Sequence, residues 1–594
     1  MNILAAIRQY ATVFPDRIAV RSGMDKITYG ELWTASDLLA DWLLENNPSP
    51  GEPIAVYGHK HPWMIVCFLG CVKAGCAYCP IDLSVPGERV KAILHTLTSG
   101  LMLTTEPLPF VPVRKQVLDL TQASNTPFPQ DLKDVIKNQE SSLFPDQQIS
   151  DRIVKNCKTD WISGDSTYYI IFTSGSTGTP KGVQISADCL NHYLDWSVSL
   201  AGARIKSNVS CSVSPQDTAG ESSVWDPSHD DAENRNVPVF LNQAPFSFDL
   251  SVMDLYTCLA MGGTLYCLGK TVQSDYARLM QALGESHTSV WVSTPSFADM
   301  CLSEPRFYRD LLPELDTFLF CGETLQNRTV KKLHQRFPDA RIFNTYGPTE
   351  STVAVTGVLV TPELNEAENP LPVGRAKPGT FLEIRDENGQ PLPDGEKGEI
   401  IILGDTVSTG YYLAPELTER AFFRRETDAE ENMDPCLTFN RETSSDVNAL
   451  SDTELPPNSV SKEPPARVLR GYHTGDKGYL KNGLLYYCGR IDLQVKLHGY
   501  RIELEDIENN LRKLPDIRHA VVLPNIRNQK VSSLTAYVTE QKFPNDTKAE
   551  TARLKEQLSS FLPDYMIPKK FVFLEQMPMT INGKADRRSL EGMQ

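Results

Sequence analysis

The sequence predicts an α/β protein, with a large N-terminal domain of doubly wound βαβ subdomains plus a small β-barrel-like unit, and a small α+β C-terminal domain. Three observations support this fold class. Short apolar stretches alternate with helical patterns up to Val373, which is typical of βαβ units. After Val373, turn signals separate alternating strand patterns. From about Leu493, a helix pattern is followed by two strand patterns.

The elements of the large domain can be placed in chain order. Apolar residues recur at helical spacing from Tyr29 to Asn46, "EPIAVYGH" has the character of a buried strand, and Pro62 begins the next helix. The most apolar stretch, "WMIVCFLGCVKAGCAYC", is shorter than the roughly 20 residues that span a bilayer, and it contains Lys73. It therefore predicts a buried helix and strand. Further strands are predicted at "YYIIFTS", "GGTLYCL", "SVWVSTP", "TFLFCGE" and "RIFNTYG".

Two segments interrupt these patterns. Residues at about 205–237 are rich in Ser, Asp and Asn, and residues at about 424–466 are acidic and contain five prolines. Neither segment has enough apolar side chains to offset the entropy of ordering it. We expect both to be inserted surface loops. Beyond them, "ELEDIENNLRKLP" predicts a helix, and "HAVVLP" and "SLTAYVTE" predict strands of the C-terminal domain.

Composition limits the classes of function. The chain has 594 residues, 41% hydrophobic and 22% charged, which is typical of globular proteins. The net charge of -17 disfavours binding to nucleic acid, and no segment predicts membrane insertion. Thirteen irregularly spaced cysteines indicate free thiols, and the N-terminus lacks the pattern of a signal peptide, so a cytoplasmic location is expected. The pair Cys76 and Cys79 is interpreted as buried thiols, because no second such pair completes a zinc site.

A glycine- and hydroxyl-rich loop follows the strand that ends near Phe172. It reads "TSGSTGTPKG", and it is not a Walker P-loop because Lys181 is followed by Gly182. Glycines let backbone N–H groups approach a phosphate, and hydroxyl groups add donors. The loop therefore predicts a polyphosphate site formed by Thr173, Ser174, Gly175, Ser176, Thr177, Gly178, Thr179 and Lys181.

Two further loops carry nucleotide-type chemistry. In "NTYGPTE", Tyr346 can stack on a base, and Glu350 can hold Mg²⁺, which prefers one or two carboxylates plus phosphate oxygens. In "HTGDKG", Asp476 can accept both hydroxyls of a ribose. On its own, "NTYGPTE" would predict an ordinary turn.

These loops occur in order with "GRIDLQVKLHGYRIELEDIE" and "NGKADR", and the five together resemble the adenylate-forming superfamily, which includes acyl-CoA synthetases, luciferases and amino-acid adenylation domains. The resemblance implies that a carboxylate attacks the α-phosphate of MgATP and that a thiol then displaces AMP. It implies an adenylation domain at residues 1–491 and a mobile lid at residues 492–594 that turns on a hinge at Asp492, although Asp492 could also be a simple turn residue. Lys584 and Glu350 would be catalytic, and Glu350 and Thr177 would bind the metal. The nucleotide would contact the phosphate loop together with Asn344, Thr345, Tyr346, Gly347, Thr349, Asp476, Arg490 and Lys584.

Other stretches resemble the D-alanine:D-alanyl carrier protein ligase family, among them "FSFDLSVMDLY", "FLFCGETL" and "NTYGPTESTVAVTGV". This resemblance implies that Asp249 accepts the substrate ammonium, that Cys321 narrows the pocket beside its methyl group, and that the backbone of Val353 approaches the ammonium. It implies D-alanine as substrate, a separate phosphopantetheinylated carrier protein as partner, and a role in teichoic acid modification. Arg501 or Lys496 could help to dock that carrier, or could be ordinary surface charges.

Several alternatives remain open. Asp249 could be a helix N-cap, since Asp is common at that position. The chain could be a stand-alone adenylation enzyme for another small amino acid in nonribosomal peptide synthesis. A non-catalytic nucleotide sensor is disfavoured by the presence of Lys181, Glu350, Asp476 and Lys584.

Overall fold

The computed structural model describes residues 1–113, 115–120, 161–174, 180–202, 237–427, 467–491, 494–527, 530–540, 543–579 and 585–593. Most of the two predicted inserts, and the predicted hinge residue Asp492, lie outside these residues. The predicted domain boundary therefore stays a prediction.

The strands of the described residues are β1 (Ile18–Ser22), β2 (Asp25–Thr28), β3 (Ile54–Tyr57), β4 (Tyr78–Ile81), β5 (Leu101–Thr104), β6 (Gln116–Asp119), β7 (Thr167–Thr173), β8 (Lys181–Ser186), β9 (Val239–Asn242), β10 (Thr264–Cys267), β11 (Val290–Ser293), β12 (Thr317–Phe320), β13 (Arg341–Tyr346), β14 (Thr356–Leu359), β15 (Arg375–Ala376), β16 (Thr380–Arg385), β17 (Gly398–Gly404), β18 (Gly410–Tyr411), β19 (Phe422–Thr427), β20 (Arg467–Lys481), β21 (Leu484–Arg490), β22 (Gln494–Leu497), β23 (Tyr500–Glu503), β24 (Ile517–Arg527), β25 (Lys530–Glu540) and β26 (Lys570–Phe573).

The helices of the same residues are α1 (Ile3–Val13), α2 (Tyr29–Asn46), α3 (Pro62–Lys73), α4 (Gly87–Thr96), α5 (Ala187–Ala201), α6 (Leu250–Ala260), α7 (Lys270–Gln273), α8 (Tyr276–Ser286), α9 (Pro295–Leu302), α10 (Asn327–Arg336), α11 (Pro362–Ala367), α12 (Pro415–Ala421), α13 (Leu504–Arg512), α14 (Thr547–Ser559) and α15 (Arg587–Glu591). None of these helices is both long and apolar enough to cross a membrane.

Two mainly parallel sheets form the large domain. The first has the strand order β18-β8-β7-β4-β3-β5-β6, and the second has the order β15-β14-β13-β12-β11-β9-β10-β1-β2. Their central strands are apolar on both faces, and β3, β4, β11 and β12 are buried along their whole length, as expected for parallel strands covered by helices. One continuous apolar core joins the two sheets through α2, α3, α5 and α6.

The order of the second sheet brings the functional loops together. Strands β9, β11, β12 and β13 are parallel neighbours, so their carboxyl ends share one edge. In open α/β sheets, ligands bind in the crevice outside the carboxyl ends of the strands. The segments that begin at Gln243, Thr294, Cys321 and Gly347 all start from this edge.

Two smaller units complete the molecule. An antiparallel sheet of five strands, β16-β17-β20-β19 with β21 beside β20, follows the large sheets. The C-terminal part contains the β22-β23 hairpin and a β24-β25-β26 sheet, whose apolar side packs on α13 and α14 around its own core. The predicted fold class is confirmed, because helices and strands fall where the local periodicities place them.

Candidate active site

A cleft lies where the two large sheets, the antiparallel sheet and the β22-β23 hairpin meet. Its wall contains nine of the residues predicted from sequence, namely Thr173, Ser174, Asp249, Cys321, Gly347, Thr349, Val353, Asp476 and Arg490. These positions span more than half of the chain, so the fold brings them into one site.

The described part of the phosphate loop borders this cleft. Strand β7 delivers Thr173 and Ser174 to it, while Gly175, Ser176, Thr177, Gly178 and Thr179 lie outside the described residues. Lys181 opens β8, and its Nζ lies 3.9 Å from Oε1 of Glu350 and 3.8 Å from Oε1 of Glu503. The Ser174 hydroxyl donates to the carbonyl of Arg501 at 3.0 Å and accepts from the backbone N–H of Glu503 at 3.2 Å. The phosphate loop is thus in direct contact with the C-terminal hairpin.

Glu350 is the centre of a buried charge cluster. It lies in a short 3-10 turn after β13, and its side chain is 0% exposed. The guanidinium of Arg501 lies 2.5 Å from Oε2, and the Tyr411 hydroxyl donates to Oε1 at 2.8 Å. Burial alone would raise the pKa of Glu350, but the charges of Arg501 and Lys181 outweigh it and lower the pKa to about 2. Glu350 is therefore an anion held among cations at neutral pH.

A second polar group lies at the antiparallel sheet. Asp476 on β20 is buried, and it accepts from the Tyr346 hydroxyl at 2.6 Å and from Nη1 of Arg490 at 2.9 Å. The amide of Asn344 and the hydroxyl of Thr345 instead donate to the carbonyls of Pro372 and Phe320, at 2.7 and 2.8 Å. These two side chains hold the sheet together, so any contact that they make with a nucleotide stays a prediction.

The acid-binding end of the cleft surrounds Asp249. This residue occupies the N-cap position of α6, but its side chain makes no capping hydrogen bond. Its Oδ2 instead accepts from the Thr349 hydroxyl at 2.6 Å, and burial raises the pKa of the carboxyl group. The geometry thus disfavours the N-cap interpretation, because the carboxylate faces the cleft.

The backbone beside Asp249 is strained in a way that serves the same end of the cleft. Thr352 and Val353 both have positive φ angles, 59° and 68°, which are rare for β-branched residues. Such strain persists only where the surroundings impose it, and it concentrates at functional sites. It turns the carbonyl of Val353 toward Sγ of Cys321, 3.6 Å away.

The C-terminal hairpin enters the cleft from the opposite side. Its turn residue Gly499 has φ +82°, and a Cβ there would lie 2.3 Å from the side chain of Thr294. The Gly499 N–H donates to Glu323 at 2.7 Å, and the Tyr500 ring lies between Phe248 and Tyr565, with ring centroids 4.6 and 3.6 Å away. Only glycine fits at this turn, so the sequence of the hairpin permits its close approach to Thr294.

The hairpin changes the roles considered for two cations. Lys496 and Arg501 both line the cleft, and the Arg501 side chain is only 13% exposed against Glu350. A surface-docking role for Arg501 is therefore wrong in this arrangement. The catalytic candidate Lys584 lies outside the described residues.

Sequence reasoning missed Tyr411 and the pairing of Arg501 with Glu350. Tyr411 lies in the short strand β18, where nothing in the sequence marks it. Arg501 lies inside a recognised motif, "GYRIE", but the motif does not state its partner.

One part of the cleft wall is apolar. It is formed mainly by apolar residues, among them Pro80, Ile81, Val85 and Ile93, with Tyr565 on the C-terminal side. Nearby, Arg89, which lines the cleft, pairs with Asp506 of α13 at 3.0 Å.

Comparison with known proteins gives a consistent result. Residues 7–412 match the model of the family "AMP-binding enzyme", and residues 506–584 match "AMP-binding enzyme C-terminal domain". The chain is 40% identical, over 593 residues, to the D-alanine--D-alanyl carrier protein ligase of Bacillus licheniformis, covering 100% of this chain and 99% of that one. It is 41% identical to the ligase of the same name from Bacillus cereus, covering 99% of both chains.

Solved structures support the fold. The adenylation domain AlmE of Vibrio cholerae, in complex with glycyl-adenosine-5'-phosphate, superposes with a TM-score of 0.71 at 21% identity, covering 100% of this chain and 96% of that one. A nonribosomal peptide synthetase protein containing adenylation and PCP domains superposes with a TM-score of 0.70 at 25% identity, covering 100% of this chain and 84% of that one.

Proposed function

Because this chain belongs to the AMP-binding enzyme family, we propose that it activates D-alanine with ATP and transfers the D-alanyl group to the phosphopantetheine thiol of a separate carrier protein. The observation that carries the proposal is Asp249, a carboxylate in the cleft wall whose described hydrogen-bond donor is the neutral hydroxyl of Thr349. A substrate ammonium would add a charged hydrogen-bond donor to this carboxylate, whereas a fatty acid or acetate would leave only the charges of Lys496 and Arg501 to offset the cost of burying it. The names of the relatives support D-alanine as that amino acid.

In the first step, an oxygen of the D-alanine carboxylate would attack the α-phosphorus of ATP, and the bond to the bridging oxygen of pyrophosphate would break. The cleft needs no protein nucleophile for this step, since positioning and charge neutralisation do most of the work. Lys181 and the loop from Thr173 to Thr179 would hold the phosphates. Asp476 and Arg490 would contact the ribose, and Tyr346 the adenine.

Magnesium fits the chemistry of Glu350. The carboxylate is ionised, with a pKa of about 2, and both of its oxygens already face positive or donating groups. Bound Mg²⁺ would neutralise charge on the phosphates. Glu350 would hold the ion, with Thr177 as a further ligand, and Arg501 would have to withdraw from Oε2 to admit it.

The second step requires a thiol and a different set of contacts. The thiol sulfur would attack the carbonyl carbon of the adenylate, and the carbon–oxygen bond to AMP would break. The apolar part of the cleft wall would accommodate the narrow pantetheine chain that carries the thiol. Lys584 would act in the first step, when negative charge builds between the carboxylate and the α-phosphate. Rotation of the C-terminal part near Asp492 would then remove Lys584 from the cleft and bring in the hairpin that carries Arg501.

Pyrophosphate exchange tests the proposal, because it reports adenylate formation without the carrier. We expect D-alanine to give the dominant signal in a panel with L-alanine, glycine, D-serine and acetate. A dominant signal from another amino acid would favour the peptide-synthesis alternative and overturn D-alanine. A dominant acetate signal would overturn the role of Asp249. A D-alanine result would direct the search to a cytoplasmic carrier that serves teichoic acid modification.

A further inference from the structure

Lys60 is a buried cation that the proposed reaction does not use. It lies in the connection between β3 and α3, and it is 3% exposed. Its Nζ donates to Oδ1 of Asn242 and to the carbonyl of Ala244, and lies 4.9 Å from the centroid of the Phe246 ring. Burying a lysine is costly unless its donors are satisfied. Here two hydrogen bonds from the Lys60 amine go to one segment, which begins at the end of β9 in the second sheet.

That segment is closed at its far end by a second buried contact. The amide of Asn242 donates to Oδ1 of Asp254 on α6 at 2.7 Å, and both residues are 0% exposed. The chain between Asn242 and Asp254 therefore leaves the sheet and returns to the same polar cluster. Within it, the Ser251 hydroxyl donates to the carbonyl of Phe248 at 2.6 Å, which tightens the turn into α6.

The closed segment forms one wall of the acid-binding end of the cleft. Pro245, Ser247, Phe248 and Asp249 all line the cleft, while the carbonyl of Ala244, immediately before them, is held by Lys60. The amine comes from the first sheet, and the segment comes from the second. A change in this contact would shift the wall relative to Thr173 and Ser174, which the first sheet supplies.

We propose that Lys60 is a positioning residue for amino-acid binding, which fixes the segment carrying Asp249 through the carbonyl of Ala244 and the side chain of Asn242. This inference rests on the proposed function, since it assigns Lys60 to the binding of the amino acid and not of ATP. The groups proposed for the nucleotide and its metal have other partners: Glu350 bonds to Tyr411 and Arg501, and Asp476 bonds to Tyr346 and Arg490.

The test compares Lys60→Met with Lys73→Met. Lys73 is the matched control, because it is 1% exposed, lies on the adjacent α3 and donates to Asp37 at 2.8 Å, yet it contacts no part of the cleft wall described here. Pyrophosphate exchange is measured with varied amino acid and with varied ATP, alongside thermal unfolding. We expect Lys60→Met to raise KM for D-alanine roughly 10- to 100-fold, as small misplacements of positioning groups do. KM for ATP should change by less than about threefold.

Lys73→Met is expected to lower the unfolding temperature and leave both KM values near those of the unchanged enzyme. If Lys60→Met does the same, its role is structural only and the inference is overturned. The positive charge of Lys60 also acts on the buried carboxylate of Asp254. Should Lys60→Met fail to fold, the double variant with Asp254→Asn removes that carboxylate as well, and the same rise in KM for D-alanine is expected. An unchanged KM in that double variant would equally refute the inference.

The proposed substrate and the proposed role of Lys60 are contradicted by different results. If the unchanged enzyme shows no exchange with D-alanine but uses another amino acid, the proposed substrate falls, and the KM comparison is made with that amino acid. If the unchanged enzyme uses D-alanine and Lys60→Met keeps its KM, only the role of Lys60 falls.

Discussion

Replacing Asp249 with asparagine tests the acid-binding end of the cleft at nearly constant volume. The substitution Asp249→Asn removes the negative charge that the proposal pairs with the substrate ammonium. The Thr349 hydroxyl, 2.6 Å from Oδ2, can accept from an amide as readily as it donates to a carboxylate. The amide oxygen of the variant can therefore still face the ammonium, and the cleft wall should keep its shape.

The size of the effect follows from these contacts. Removing one partner of a buried, hydrogen-bonded charge pair costs about 2–5 kcal/mol. Because the variant keeps an oxygen acceptor, we expect the lower part of this range, about 2–3 kcal/mol, which corresponds to a fall in kcat/KM for D-alanine of roughly 30- to 150-fold. Affinity for ATP should change little, since the groups that would hold the ribose pair with each other, with Asp476 accepting from Arg490 and from Tyr346.

The assay is pyrophosphate exchange with D-alanine and with propionate, which lacks the ammonium. In Asp249→Asn the preference for D-alanine over propionate should shrink, because the variant no longer penalises a neutral group at that position. A fall in kcat/KM for D-alanine of less than about threefold, or an unchanged preference over propionate, would refute the assignment of Asp249.

The same variant has an expected pH signature in stability. Burial raises the pKa of Asp249 in the folded protein. Between the ordinary and the raised pKa, the folded protein therefore keeps a proton on this carboxyl group that the unfolded chain has lost. The free energy of unfolding therefore falls as pH rises from the ordinary carboxyl pKa to the raised pKa of Asp249. Above the raised pKa, the whole destabilising effect of the buried charge is present. Asp249→Asn should raise the unfolding temperature at pH 8 relative to the unchanged protein, and this gain should vanish at about pH 3. An equal difference at both pH values would contradict the burial argument.

Three further predictions concern the two half-reactions and the pocket. Lys584→Ala should abolish pyrophosphate exchange while ATP binding, measured by calorimetry, stays near normal; near-normal exchange would remove Lys584 from the catalytic group. Arg501→Met breaks the buried pair with Glu350, so D-alanyl transfer to a pantetheine thiol should fall about tenfold or more while exchange stays within about threefold; equal losses in both assays would contradict it. Cys321→Gly removes the side chain beside the Val353 carbonyl, and the D-alanine over L-alanine ratio of kcat/KM should drop roughly tenfold; an unchanged ratio would show that another group selects the stereoisomer.

The local elements could be predicted because each one is specified by residues close together in the chain. The predicted helix from Tyr29 to Asn46 is α2, and its start is fixed by a capping box in which Thr28 and Glu31 bond to each other's backbone N–H. Predicted β12 and β13 are likewise short apolar runs between turns. Periodicity and capping act over a few residues, so a single sequence contains them.

The chemistry of the site was also carried by the sequence, in the residue types and order of its loops. Lys181, Glu350 and Asp476 belong to segments that each have a recognisable composition, and Asp249 follows an aromatic run. The fold then determined which groups surround these residues. The side chains of Asn344 and Thr345, predicted from the same loop as Tyr346, donate hydrogen bonds to the carbonyls of Pro372 and Phe320. A loop pattern does not state which of its side chains the sheet will use.

Only the tertiary structure decided the pairings between distant positions. Arg501 reaches Glu350 across 151 positions of the chain, and Lys60 reaches Ala244 across 184. Such contacts depend on how the sheets and the C-terminal hairpin pack, and a side chain's type does not encode the partner that packing will supply. The sequence by itself determined the fold class and the family, and it predicted which groups would bind nucleotide and acid. The packing decided that an arginine expected at the surface neutralises Glu350, and that a buried lysine holds the segment carrying Asp249.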